Sequence, residues 1–370
     1  MQVAALRNAM KSVSSFVCNK GTLPILSHVL VQEKDGAIWM TASDAARMVH
    51  VKVSDVGIDS LPDFTMEASK IASIVKAVTT NELAFKFEGE NITLQAGRSR
   101  FKLATLDPTM FPVPEKSDEK LLFEMTEKDL LHRIVLASPF MAREDIRFYL
   151  NGICLEVAGK DVMMVATNGH RLIAQGVAGT AGKMYILPGN TVQSLLKVLE
   201  PNSSKPVKVL LRLSGNGSAR GMKFVIGDQL VISTPLVDGK YPDWRRVIPA
   251  KGTRPDILSL PVAETLAGLK RLAVVAKKEN PFVILKPSVA SLKMSTSDGV
   301  DEAEEELDLV GYAGKTVEIG FNIHYFQETL SVAFADGIET LNFCFNSGNP
   351  TESAYMEFGE TRVVLMPIRV

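Results

Sequence analysis

The chain has 370 residues, 46% of them hydrophobic, and 41 basic against 42 acidic side chains leave a net charge of −1. That balance by itself argues against a protein that grips nucleic acid through many phosphate contacts and leaves open local segregation of charge, and no apolar run reaches the length of a membrane span. Cys18, Cys154 and Cys344 are odd in number, which argues against a disulfide framework, and Met1–Arg7 lacks the basic start and long apolar core of a secretory signal, so a cytoplasmic location is expected.

In chain order, Met1–Val3 offers only a stub of an opening strand, so the first sheet is expected to have a shortened edge. A helix carrying Leu6, Met10 and Val13 follows, then strands ending at Thr41-Ala42-Ser43-Asp44-Ala45, then a helix with Ile71, Ile74, Val75 and Val78. Further strands lead to Phe111-Pro112 and a polar break at Glu115-Lys116-Ser117-Asp118. The order then recurs. Leu121–Glu124 reads as a strand, Thr126-x-x-Asp129 as a helix cap, and Leu130, Leu131, Ile134 and Val135 as one apolar face. Phe148–Val157 and Asp161–Ala166 read as strands, Asn190–Leu199 as a helix, and residues near 206–213, 220–226 and 229–235 as strands. After the break at Lys251–Pro255, a third round has a strand at Ile257–Leu260 and helices around 262–275 and 322–334.

Two markers hold register across the three rounds. Asp44, Asn168 and Asp298 each end an apolar run, 124 and 130 residues apart, and the prolines of Phe111-Pro112, Tyr241-Pro242 and Met366-Pro367 are 130 and 125 apart. Three copies of a domain-sized unit follow, an α+β fold with two amphipathic helices per copy packed on sheet. Such a triplicate builds a scaffold more readily than a catalytic cleft.

The outward helix faces are basic at Arg7, Lys11, Lys70, Lys76, His132, Arg133, Lys197, Lys270 and Arg271, whereas the third copy has an acidic strand with Asp301, Glu302, Glu304, Glu305, Glu306 and Asp308. One reading is ordinary solvated faces; the other is a shared basic lining for DNA through Arg7, Lys11, Lys70, Lys76 and Lys197. By size scaling a copy is roughly 35 Å across, so three in a circle leave almost no hole and six leave one of roughly 35 Å. Two chains joined head to tail supply six.

No constellation for chemistry emerges. The five histidines have no metal-ligand spacing, and there is no nucleophile elbow, phosphate loop or dinucleotide fingerprint, so no catalytic residue, metal or cofactor is assigned. Asp44 or Asn168 beside His170 could suggest acid–base work, but Asn and Asp in these turns suit a local backbone role better. A hydrolase using His170 with Asp243 lacks a nucleophile. Arg147-Phe148-Tyr149-Leu150-Asn151-Gly152, placed on one strand, Thr167–Leu172 and Tyr241–Val247 combine aromatic, basic and apolar groups, and the apolar end Val363–Val370 should be docked.

These three segments, with Gly320–Tyr325, Met366-Pro367-Ile368-Arg369-Val370, Thr22–Leu26 and Gly97–Phe101, resemble the bacterial sliding clamp family, the β subunit of DNA polymerase III. The resemblance runs over essentially the whole chain. It implies three clamp-type domains (1–118, 119–250 and 251–370) forming half of a six-domain ring. A head-to-tail homodimer would encircle double-stranded DNA without sequence preference, as a non-enzymatic processivity factor. Its implied partners are the replicative DNA polymerase, the clamp loader, and other polymerases and repair proteins that dock through short peptides. The implied peptide pocket comprises Arg147, Tyr149, Leu150, Thr167, Gly169, His170, Arg171, Leu172, Pro242, Arg246, Val247, Asn322, Tyr325, Val364, Met366, Pro367, Ile368 and Arg369. DNA contacts map to Lys20, Arg143, Tyr149 and Lys197, and the dimer contact sets Val274 and Val275 opposite Phe111. The family commonly has Asp at Asn168, a neutral polar group at Glu144, and Met and Leu at Ile368 and Val370. The alternative is a peptide-binding repeat scaffold that encircles nothing.

Overall fold

Alternating apolar and polar residues make strands and the 3.6-residue stripes make helices, in the same run three times. In the first copy these are α1 (Val3–Val13), β1 (His28–Lys34), β2 (Ala37–Ser43), β3 (Met48–Val53), β4 (Phe64–Glu67), α2 (Ala68–Ala77), β5 (Ala84–Glu88), β6 (Asn91–Ala96) and β7 (Ser99–Ala104). The second has β8 (Asp118–Thr126), α3 (Glu127–Ala137), β9 (Gly152–Ala158), β10 (Asp161–Thr167), β11 (Arg171–Gln175), β12 (Lys183–Pro188), α4 (Gly189–Val198), β13 (Pro206–Leu213), β14 (Ala219–Ile226) and β15 (Leu230–Pro235). The third has β16 (Asp256–Pro261), α5 (Val262–Leu272), β17 (Phe282–Pro287), β18 (Ser291–Ser297), β19 (Glu302–Asp308), β20 (Gly311–Ala313), β21 (Ile319–Asn322), α6 (Ile323–Ala335), β22 (Thr340–Phe345), β23 (Ala354–Phe358) and β24 (Thr361–Leu365). This computed structural model describes every residue except 19–20, 22, 54–60, 113–116, 178–180, 251 and 370.

Packing groups the chain differently from the repeat, into two compact units: Met1–Ile134 with Asn190–Val237, and Val135–Gly189 with Asp238–Val370. The cause is strand pairing. In the first unit, β3 of copy one pairs antiparallel with β15 of copy two, giving a sheet ordered β4-β1-β2-β3-β15-β14-β13-β8. One row across it, Val49, Ile232, Phe224 and Val209, is fully buried. Leu6, Met10, Val13 and Ile71 of α1 and α2 join the core of this unit. In the second unit, β11 of copy two pairs with β24 of copy three in the sheet β12-β9-β10-β11-β24-β23-β22-β16-β20. Its core holds Phe321, Phe326 and Phe343 with ring centroids 5.2–5.8 Å apart.

Each long sheet therefore takes four strands from one copy and, from the next copy, its opening strand and the three strands of its second half, with β20 added to the second sheet. The remainder of such a set is left over: β19-β18-β17-β21 in the second unit and β5-β6-β7 in the first. β19 and β7 are edge strands. Just ahead of β5, Gln2 forms a single bridge opposite Glu82, and the Met1 and Leu83 backbones exchange hydrogen bonds of 2.9 Å.

The turn that marks the period is the same object three times. The Oδ1 of Asp44 accepts from the amides of Ala46 and Arg47, that of Asn168 from His170 and Arg171, and that of Asp298 from Val300 and Asp301, all at 2.7–3.1 Å. The next residue, Ala45, Gly169 or Gly299, has φ of 75°, 90° or 101°. The turn ends on Arg47 or Arg171, and each of these is buried and ties a junction. Arg47 lies over the Phe16 ring (5.2 Å) and donates to Ser15 O and, on α4, to Asn190 O and Ser194 Oγ. Arg171 lies between the rings of Phe140 (4.7 Å) and Tyr325 (4.3 Å), donates to Pro139 O and pairs with Glu328 on α6. In each case the arginine of one copy holds the second helix of the following copy. The third turn ends on Asp301 instead.

Two sequence expectations are corrected. Phe148–Leu150 is a 3-10 turn rather than strand, closed by the Leu150 amide donating to Arg147 O (2.8 Å) and the Asn151 amide to Phe148 O (3.1 Å), and β9 begins at Gly152, where a Cβ would lie 2.2 Å from Leu187 O. Val135 is 45% exposed, off the stripe formed by Leu130, Leu131, Ile134 and Ala137. The α3 cap forms as read: the Asp129 amide donates to Thr126 Oγ1 (3.1 Å), whose hydroxyl donates to Asp129 Oδ2 (2.6 Å).

Arg47→Ala should lower unfolding free energy by about 3 kcal/mol, because it strips a buried cation from Asp44 and two carbonyls, and a urea melt measures this. His50 gives a second test. Burial, then the charges of Lys34 and Lys223, lower its pKa from the usual 6.5 to about 4. The unfolded chain therefore binds a proton that the folded chain refuses until about pH 4. Stability fully present above pH 6.5 is lost as pH falls toward 4, by about 3 kcal/mol at most. A His50→Gln protein should lack that part of the slope in urea melts across the window.

Candidate functional site

In the second unit β11 and β24 set Leu172 directly opposite Val364, so both side chains rise on one face. With Leu150 they form a buried apolar floor. Above it opens a cavity of about 160 Å³ lined by Arg147, Tyr149, Leu150, Thr167, Gly169, His170, Arg171, Leu172, Pro242, Trp244, Val247, Val364 and Met366. Twelve of these are expected pocket residues; Trp244 is the addition. Val247 and Met366, 44% and 37% exposed, leave apolar surface at the mouth.

Each wall has a local cause. The turn at Asn168 presents Gly169, His170 and Arg171. At Gly169 the φ of 90° favours glycine, and the absent Cβ leaves room for the Arg147 guanidinium, whose Nη1 would lie 2.9 Å from it. Arg147 is fixed by Asp145, whose Oδ1 and Oδ2 accept from Nε and Nη2 at 3.0 and 2.8 Å, and by Asn168 O. The guanidinium holds Asp145 well down, at about 2. The opposite wall hangs on Glu156, a buried carboxylate. It accepts from Trp244 Nε1 (2.8 Å), Arg245 Nη1 (2.7 Å) and the Gly182 amide (2.7 Å). Burial alone would raise its pKa, but these donors outweigh burial and lower it. Beneath, the Tyr241 hydroxyl reaches Val165 O at 3.5 Å.

The other expected pocket residues lie outside this cavity. Asn322 caps α6, its side chain accepting from the His324 and Tyr325 amides. Tyr325 lines an adjoining polar cleft with Arg143, Asp145, Arg147, His170, Arg171 and Glu328, and stacks on His170 at 6.2 Å. Arg246 is exposed and pairs with Asp243. The C-terminal segment Met366, Pro367, Ile368 and Arg369 is docked: the Met366 amide donates to His170 O and that of Ile368 to Gly320 O, both at 2.8 Å.

The expected DNA-binding residues are dispersed. Lys11 and Lys197 share a cleft of about 420 Å³ with Lys52 and Lys205, two lysines the sequence reading missed because they lie on a strand and a loop rather than on helices. Arg7 is committed to the helix pair, since Nε and Nη2 both donate to Val75 O on α2. Lys70 pairs with Glu67 at 2.5 Å, Lys76 and Arg143 are exposed, and Tyr149 meets Phe148 edge-on at 5.8 Å. Lys20 lies outside the described residues. Of the expected dimer residues, Val274 is 85% exposed and Val275 half-buried, whereas Phe111 is buried with Ile25, Leu26 and Leu30. Among the described residues no group of His, Cys, Asp and Glu has the arrangement of a metal site, and no helix is long and apolar enough to cross a membrane.

Glu156→Gln should loosen the Tyr241–Val247 wall, because it removes the charge that holds Arg245 and weakens the Trp244 bond. A red shift and stronger quenching of Trp244 fluorescence, read in a Trp39→Phe background, would register it.

Three sequence profiles of one family match in order. The N-terminal, central and C-terminal domains of the DNA polymerase III beta subunit match residues 1–115, 124–243 and 245–369. Among curated proteins the chain is 28% identical to the beta sliding clamp of Vibrio cholerae, over 98% of this chain and 96% of that one. It is 29% identical to the beta sliding clamp of Escherichia coli K12, over 99% and 98%. The crystal structure of the DNA polymerase III subunit beta from Pseudomonas aeruginosa superposes with a TM-score of 0.89 at 28% identity, covering 100% of this chain and 99% of that one. With the triplicate fold and junction sheets described above, these matches place the chain in the DNA polymerase III beta subunit family, the sliding clamps.

Proposed function

We propose that two copies of this chain close head to tail into a ring of six domains, with boundaries near 118 and 250, around double-stranded DNA. The observation that carries this reading is the divided third sheet. Junctions one and two pair β3 with β15 and β11 with β24 in the same register, counted from the turn: Met48 faces Ser233 and Leu172 faces Val364. β19 and β7 hold the equivalent places in copies three and one. Carried over, the register sets Glu302 opposite Lys102, Ala303 opposite Phe101, Glu304 opposite Arg100 and Glu305 opposite Ser99. Charge then alternates correctly along the seam, and two long exposed edges that would otherwise invite aggregation are paired. In the isolated chain Arg100 pairs with Glu88 and Glu304 with Lys293, so closure exchanges partners and each ion pair adds little net stability. Val274 and Val275, with the segment around Phe111, supply apolar contact beside the seam.

Topological closure explains the net charge of −1. A closed ring holds DNA without dense phosphate contacts, and scattered cations such as Lys11, Lys76, Arg143 and Lys197 leave it free to slide. The cavity above Leu150, Leu172 and Val364 suits a leucine or phenylalanine anchor, with His170, Arg147 and the docked C-terminal segment orienting the peptide backbone. In this reading the replicative polymerase, the clamp loader and other polymerases and repair proteins share that cavity through short peptides, in the cytoplasm at the nucleoid.

Light scattering tests the seam. The wild type should be a dimer and Arg100→Glu/Lys102→Glu a monomer. Adding Glu302→Lys/Glu304→Arg to that variant should restore the dimer. A wild type that stays monomeric at tens of micromolar, about the concentration at which a micromolar contact would fill, favours the scaffold that encircles nothing. After assisted loading, the wild type should stay on closed circular DNA and run off once the circle is linearised. Removal of residues 366–370 should abolish binding of a short leucine–phenylalanine peptide while leaving the dimer intact; unchanged peptide affinity would refute the pocket.

A further inference from the structure

The two buried arginines that tie the junctions occupy one place in the fold, but their charges are met from different directions. Arg47 finds its carboxylate in its own turn: Asp44 Oδ2 accepts from Nε at 2.8 Å and lies 2.6 Å from Nη2. Its other donors go to Ser15 O, Asn190 O and Ser194 Oγ, so every guanidinium nitrogen of Arg47 has a partner. In the second turn Asn168 stands where Asp44 does. Its Oδ1 accepts the same two backbone amides, but it brings no charge to Arg171. Arg171 Nε is left buried with no hydrogen-bond partner. The charge is met instead by Glu328, the sixth residue of α6, where α4 has Ser194 as its sixth. At this junction the ion pair has moved from inside the turn to across the joint.

Arg171 is also part of a wall. It lines both the cavity above Leu150, Leu172 and Val364 and the polar cleft beside it. Its guanidinium lies between Phe140 and Tyr325, and the Tyr325 ring stacks on His170, which lines the same two spaces. Glu328 borders the cleft but not the cavity, and its side chain is 45% exposed. A buried guanidinium keeps its place only while its charge is answered. Burial pushes the Arg171 pKa below the usual arginine value, and the charge of Glu328 works against that push.

From this exchange of carboxylates we infer that Glu328 is a positioning residue for peptide docking. Without reaching the anchor cavity, it holds Arg171 there and, through the Tyr325 ring, His170, in the geometry that admits a leucine or phenylalanine side chain. The inference rests on the reading of that cavity as a peptide pocket. The vacant Nε gives the wall a second way to be held. Asn168→Asp would answer Arg171 from within the turn, as Asp44 answers Arg47, and the first junction shows that aspartate makes this turn equally well. Asn168 and Glu328 are therefore linked: the neutral turn residue is what hands the arginine to α6.

The test is a fluorescence anisotropy titration of the full chain with fluorescein-labelled Gly-Ser-Leu-Phe amide, a sequence without charged side chains. Glu328→Gln should weaken binding about tenfold. Adding Asn168→Asp to that variant should recover most of the loss, and the gain from Asn168→Asp should be larger in the Glu328→Gln background than in the wild type. Glu328→Asp, which draws the carboxylate back by one methylene, should show a smaller loss with the same recovery; it carries the test if Glu328→Gln lowers the melting temperature. The inference is overturned if Glu328→Gln binds like the wild type. It is also overturned if a Glu328→Gln protein with a wild-type melt loses affinity that Asn168→Asp does not return. A wild type that fails to bind at millimolar peptide overturns the pocket reading itself, and this inference with it.

Discussion

A strand edge must be paired, and in this chain no copy of the repeat pairs all of its own edges. β3 is completed by β15 and β11 by β24, each from the next copy along the chain. The copies therefore cannot be independent beads on a string. The hydrophobic row Val49–Ile232–Phe224–Val209 exists only because two copies contribute to one sheet, and the same holds for the floor made by Leu172 and Val364. Everything assigned to this sliding clamp at its second junction stands on that arrangement.

The buried arginines are the second half of the same device. Arg47 and Arg171 leave the same turn, lie on a phenylalanine of their own copy, and reach the helix that follows in the next copy. A buried guanidinium is expensive unless its donors and its flat faces are both used. Using them across a junction fixes helix and sheet together. Where the third turn ends on Asp301 there is no such tie, and the strand beside it is an exposed acidic edge. Two joints are thus tied within one chain by a buried arginine, and the edge beside the third turn is left unpaired within it.

Much of this was legible in the residues. The period was visible because Asp44, Asn168 and Asp298 do a backbone job that few side chains can do, accepting two amides at the end of a strand. The pocket residues were legible through the family resemblance rather than through chemistry: nothing in the order Leu150, Leu172, Val364 says that the three share a floor. Trp244 was missed as a lining residue because its role depends on Glu156, some 90 residues away, turning the indole edge inward. Arg7 read as one more basic residue on an outward helix face, and no local pattern discloses that Val75 O takes both of its donors.

The sequence by itself determined the elements, their threefold order, the turns between them and the near-neutral charge, because each of these depends on residues close together in the chain. Only the tertiary structure decided which edges are satisfied within the chain and which remain open, and where the buried arginines reach. Those outcomes depend on contacts between residues more than a hundred positions apart, where hydrogen-bond geometry and packing, and no local propensity, select the partner.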